Sequence, residues 1–87
     1  MKTEFAKLTN EIESFEKKAG FEKTSKKQLS RWLKEETKDY EKAKTKSRKS
    51  NKLMDIIILT LQLAHRDKIS LDDAWKTWWK KSGKYLK

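Results

Sequence analysis

The sequence predicts an all-α protein, and three observations predict it. Apolar residues recur at steps of three and four along most of the 87 residues, there is no proline, and the only glycines are Gly20 and Gly83. Such spacing places apolar side chains on one face of a helix, whereas a sheet protein needs many more turn-forming residues. The length fits one domain spanning 1–87. With 34% hydrophobic against 41% charged residues, the core is thin, and a domain of this size buries only about 60–65% of its unfolded surface. The expected architecture is therefore a four-helix bundle completed by oligomerisation, as a homodimer or a higher homo-oligomer.

The first helix is expected over Thr3–Ala19, with Phe5, Leu8, Ile12, Phe15 and Ala19 as its stripe. Gly20 suits the left-handed position that ends a helix. Thr24 or Ser25 is the N-cap of a second helix over Lys26–Ala43. Its stripe is Leu29, Trp32, Leu33, Tyr40 and Ala43, with an acid, Glu36, on the face that should be buried. Residues 44–50 read as a basic polar loop or a frayed helix end. A third helix over Asn51–Arg66 is apolar nearly all round, which implies a central helix covered on several sides. Ser70 with Asp73 three residues on marks the start of a fourth helix, which carries Trp75, Trp78 and Trp79 and stops at Gly83.

Composition narrows the function classes. The absence of cysteine excludes disulfides and thiolate metal sites. Met1-Lys2-Thr3-Glu4 lacks the apolar run of a signal peptide, so a cytoplasmic location is expected. The longest apolar run, Ile56–Leu59, breaks at Thr60 and is too short for membrane insertion. The net charge of +10 favours polyanionic partners, nucleotide or nucleic acid among them.

Three carboxylates carry the most chemical information. On a helix Glu35, Glu36 and Asp39 fall on one strip. Their mutual repulsion calls for a counter-charge, and Mg²⁺, a hard ion with oxygen ligands, suits such a cluster and holds phosphates through its remaining positions. Asp55, early in the apolar helix, is the acid able to face the strip from a neighbouring helix. The alternative is a solvated strip neutralised by Lys34, Lys38 and Lys42, with Asp55 there for the helix dipole. Lys42, Lys44, Lys46, Arg48, Lys49 and Lys52 crowd eleven residues without an acid. This run is either a solvated loop, a polyphosphate clamp beside the carboxylates, or a contact for a nucleic-acid backbone. Trp75 and Trp78 fit core or oligomer interface, and Trp79, off the stripe, fits a base or partner contact.

In order and spacing, Phe15–Phe21, then Leu33-Lys34-Glu35-Glu36-Thr37-Lys38-Asp39, then Asp55-Ile56-Ile57-Ile58-Leu59 and Ile69–Ala74 resemble the MazG-like nucleotide pyrophosphohydrolases. The resemblance covers roughly Leu8 to Tyr85. It implies a MazG-like helical bundle, a Mg²⁺ cofactor, and hydrolysis of nucleoside triphosphates to monophosphate and pyrophosphate. By the same resemblance Glu35, Glu36, Asp39 and Asp55 are the expected metal ligands, and Glu35 and Glu36 serve catalysis; Lys49, Lys52 and Lys81 are the lysines expected to contact phosphate. The chain departs from the family at Lys52, where a glutamate is expected, at Asp39, one methylene short, and at Trp78-Trp79-Lys80-Lys81-Ser82. Whether it is an active or a degenerate enzyme is thereby left open. The other reading is a non-enzymatic adaptor or nucleic-acid binder using Lys44, Lys46, Arg48, Lys49 and Trp79.

Overall fold

A computed structural model describes residues 4–86, and all regular structure among them is helical. Helix α1 spans Phe5–Ala19, α2 Lys26–Lys42, α3 Lys46–Arg66 and α4 Leu71–Ser82, followed by a 3₁₀ turn over Gly83–Leu86. The first helix was expected from Thr3, which lies outside the described residues. α2 and α3 form a tight antiparallel hairpin, α1 lies against α3, and α4 docks on the beginning of α1.

Local chemistry explains where each helix starts and stops. Gly20 takes φ 77°, and the Phe21 amide donates to the Glu16 carbonyl across it. The Phe15 and Phe21 rings then meet at 5.8 Å, the apolar contact that accompanies this kind of helix end. Ser25 is the N-cap of α2, accepting from the Gln28 amide. Thr45 caps α3 by accepting from the Arg48 amide, so α3 begins five residues before the expected Asn51. The basic run 46–50 is thus the first turns of a helix, because one hydroxyl three residues ahead of Arg48 satisfies an orphan amide there. Ser70 caps α4 as expected. α4 stops at Gly83 as expected; this glycine stays right-handed at φ −56°, and the chain tightens into the 3₁₀ turn.

Helix α1 has no capping side chain of its own, since Glu4 makes no cap bond. Asp72 of α4 supplies one: its two carboxylate oxygens accept from the Phe5 and Ala6 amides at 3.0 and 3.1 Å. The negative charge also faces the positive end of the α1 dipole, and Phe5 stacks on Trp75 beside it at 5.8 Å. Asp72→Ala is expected to lower stability by about 1 kcal/mol, read as a shifted urea midpoint; an unchanged midpoint would mean that α4 is not docked through this cap.

The core is small: Ile12, Leu29, Leu59, Leu61 and Ala64, with Leu29 the one large side chain fully buried among the described residues. Two expectations about burial are corrected. α3 is not covered all round, because Leu53, Met54 and Ile57 are about half exposed. The α1 stripe buries Ile12, whereas Leu8 and Phe15 remain exposed. α4 buries none of its residues.

Candidate functional site

The α2–α3 hairpin leaves a groove between its helices, and the sequence explains why it is polar. On α2 the inward positions continue from Leu29 and Leu33 to Glu36 and Tyr40, so an acid occupies an inner-face site. The facing position on α3 is Lys52. Its Nζ lies 3.1 Å from Glu36 Oε2 and 3.6 Å from Asp39 Oδ2. Glu36 Oε2 is buried, and the Lys52 ammonium is the counter-charge within reach of it. The Glu36 carboxylate holds the Lys52 ammonium above its ordinary pKa of 10.5; lost hydration opposes this, and Asp39 and Asp55 add to it.

Next to this pair, Trp32, Glu35 and Glu36 from α2 and Asp55, Ile58, Leu59 and Gln62 from α3 line a cavity of about 460 Å³. Trp32, placed with the core by periodicity, is 37% exposed and forms one wall. A second cavity, of about 310 Å³, is lined by Arg48, Asn51, Lys52 and Asp55. A third, of about 410 Å³, is bounded by Asp39, Lys42, Lys44, Thr45 and Arg48 where α2 turns into α3. Asp55 borders the first two and Arg48 the last two. The three cavities thus adjoin along the hairpin, from an aromatic, acidic end at Trp32 to a basic end at Lys44.

Of the residues singled out in the sequence, Glu35, Glu36 and Asp55 thus share one cavity, and Asp39 reaches the same lysine as Glu36. Lys44 and Arg48 line the basic end. Lys46 and Lys49 are exposed on the first turn of α3 and Lys81 on α4; none lines these three cavities. Trp79 is held by Trp75 and Trp78, its ring 5.0 Å from that of Trp78, and no described contact joins it to the Lys44–Lys49 run.

The acids as they stand do not fit a magnesium ion. Among the described residues no three acidic or histidine side chains cluster closely enough to ligate a metal. The pair nearest to doing so, Glu36 and Asp39, already faces the Lys52 ammonium. A dication about 4 Å from that ammonium would meet a repulsion of roughly 2 kcal/mol even at the dielectric of water.

Sequence periodicity also left a second polar cluster unnoticed. Glu16 is buried in the α1–α3 interface, with Arg66 Nη2 at 2.6 Å and Gln62 Nε2 at 3.4 Å. Arg66 also donates to the Phe21 and Thr24 carbonyls, fixing the α1–α2 connection to the end of α3. The signal was available: position 16 falls four residues after Ile12 and three before Ala19, on the apolar stripe itself.

No family model, curated protein or solved structure matches this chain. No helix among the described residues is long and apolar enough to cross a membrane.

Proposed function

We propose that this chain is a diverged MazG-like helical protein that binds a nucleoside polyphosphate along the α2–α3 groove, without turning it over. The observation that carries the reading is Lys52, seated between Glu36 and Asp39 in the groove where Glu35 and Asp55 also face. The basic end, with Lys42, Lys44 and Arg48, suits the phosphates, and the exposed Trp32 ring offers a stacking face for the base. The MazG-like reaction would need Mg²⁺ among the acids, and an ammonium stands against them. Nucleoside triphosphates are cytoplasmic metabolites, which makes the cytoplasm the compartment this reading implies.

The same reading includes a homodimer. The chain exposes 7310 Å², whereas a compact 10.4 kDa monomer exposes roughly 5400 Å². Its radius of gyration is 14.8 Å, against about 12 Å for a compact chain of this length. The surplus area is of the size that one protomer contributes to an obligate dimer. Leu53, Met54 and Ile57 on α3 and Trp78 and Trp79 on α4 are the exposed apolar groups with which a second copy would bury it.

A polarisation titration with fluorescently tagged ATP tests the binding. Saturable binding is expected, weakened about tenfold or more by Lys44→Glu with Arg48→Glu and several-fold by Trp32→Ala, with no pyrophosphate released when Mg²⁺ is present. Binding indifferent to both sets of changes would end the proposal. Displacement of the tagged ATP by a short oligonucleotide but not by free ATP would favour the nucleic-acid reading through Lys44, Lys46, Arg48, Lys49 and Trp79.

A further inference from the structure

We propose that Lys52 is a tethered replacement for a divalent cation, so that the groove carries its own positive charge, excludes divalent metal and takes its ligand without one. The metal half of this inference stands by itself; the ligand half rests on the nucleotide-binding reading above.

Three observations support it. First, the ammonium reaches two carboxylates from different turns of α2 at once, at 3.1 and 3.6 Å, a bridging arrangement of the kind a bound metal ion makes. Second, it is the counter-charge of Glu36 Oε2, an oxygen that water does not reach although the rest of the side chain is partly exposed, so the lysine cannot swing away without leaving that oxygen uncompensated. Lys52 is itself three-quarters covered, with a side-chain exposure of 23%, which sets it apart from the solvated lysines of the same basic run. Third, the supply of acids is not short. Glu35, Glu36 and Asp55 line the adjoining cavity, and Asp55 is one turn along α3 from Lys52, so a carboxylate at position 52 would add to the acids beside it. The Lys52 ammonium stands where a further ligand would complete a set that the acids alone do not form.

A mobile dication is strongly hydrated, needs several oxygen ligands, and must compete with an ammonium that is covalently attached and always present. Lys52→Glu changes the local charge by two units; Lys52→Gln changes it by one and retains most of the side-chain stem. Both changes remove the competitor, and the first adds a ligand.

The test is a Mn²⁺ titration followed by electron paramagnetic resonance, free of nucleotide, on the wild-type, Lys52→Gln and Lys52→Glu proteins, with helix content checked by circular dichroism. Wild type is expected to show no site that depends on Glu36. Lys52→Glu is expected to bind Mn²⁺ at least about tenfold more tightly than wild type, Lys52→Gln to fall between, and Glu36→Gln to abolish the gain. Should Lys52→Glu fail to fold, Lys52→Gln decides the matter by the same comparison. A wild-type Mn²⁺ site removed by Glu36→Gln would overturn the inference, as would folded position-52 variants that bind Mn²⁺ no better than wild type. The second arm compares tagged-ATP affinity in EDTA and in Mg²⁺. Equal affinity is expected, and binding that requires Mg²⁺ refutes the ligand half. An absence of ATP binding under both conditions refutes the nucleotide reading while the metal result stands.

Discussion

Arg66→Met is expected to destabilise the protein by about 3–5 kcal/mol, the loss typical of removing one partner from a buried ion pair. Glu16 has a side-chain exposure of only 3% and Arg66 of 17%, and they meet at 2.6 Å. Without the guanidinium, the Glu16 carboxylate would keep only a long contact from Gln62, and the Phe21 and Thr24 carbonyls would lose their donor as well. Those bonds hold α1 and the following turn on α3, so the loss spreads beyond one pair. Native domains are stable by only about 0.05–0.15 kcal/mol per residue, so a loss of this size removes a large fraction of the total, and the variant should unfold at far lower urea. Urea titration followed at 222 nm measures the effect. The double variant Glu16→Met/Arg66→Met should recover most of the loss, because an apolar pair of similar volume leaves no buried charge. If Arg66→Met costs under about 1 kcal/mol, some other contact holds α1 on α3.

The four helices were legible because each obeys a local rule that tertiary packing does not override. Stripes with a period near 3.6 and the Gly20, Ser25 and Ser70 signals mark ends that the structure realises. The start of α3 was missed because composition outweighed capping. Seven polar and basic residues read as a loop, yet lysine and arginine are good helix formers, and Thr45 lies in position to accept from the Arg48 amide. The open face of α3 was missed for a different reason. An apolar residue shows that a position prefers cover, but a single chain has too few helices to cover every such position.

The candidate site was legible to the extent that one acid broke an apolar period. Glu36 marked an inner-face charge, and the resemblance drew attention to Lys52 as the residue out of pattern; the structure brings the two within 3.1 Å. By the same rule Glu16 interrupts the α1 stripe, and its partner is Arg66 at the end of α3. Asp72 was not legible at all, because its bonds to the Phe5 and Ala6 amides span 67 and 66 residues. Such a cap depends on how two helices cross, which no local pattern encodes.

Leu29→Ala is expected to cost about 3 kcal/mol, within the range for truncating a buried leucine. Leu29 has no exposed surface, and no other large side chain among the described residues is as deeply buried. It belongs to α2, which otherwise presents half-buried or exposed residues to α3 and the solvent. The charged ties between these helices are the Lys52 contact with Glu36 and Asp39 and the Lys26 contact with Asp67 at the end of α3, and an exposed or partly exposed ion pair of this kind contributes no more than about 1 kcal/mol. Apolar burial at Leu29 therefore outweighs the charge pair in keeping α2 against α3, and with it the groove that the two helices enclose. Leu29→Ile, which conserves volume, should cost under about 1.5 kcal/mol and leave tagged-ATP affinity unchanged. Both values come from urea unfolding at several protein concentrations. A Leu29→Ala loss below about 1 kcal/mol, with a midpoint that rises steeply with protein concentration, would show that the hairpin is held mainly by a second copy packed on its outer face.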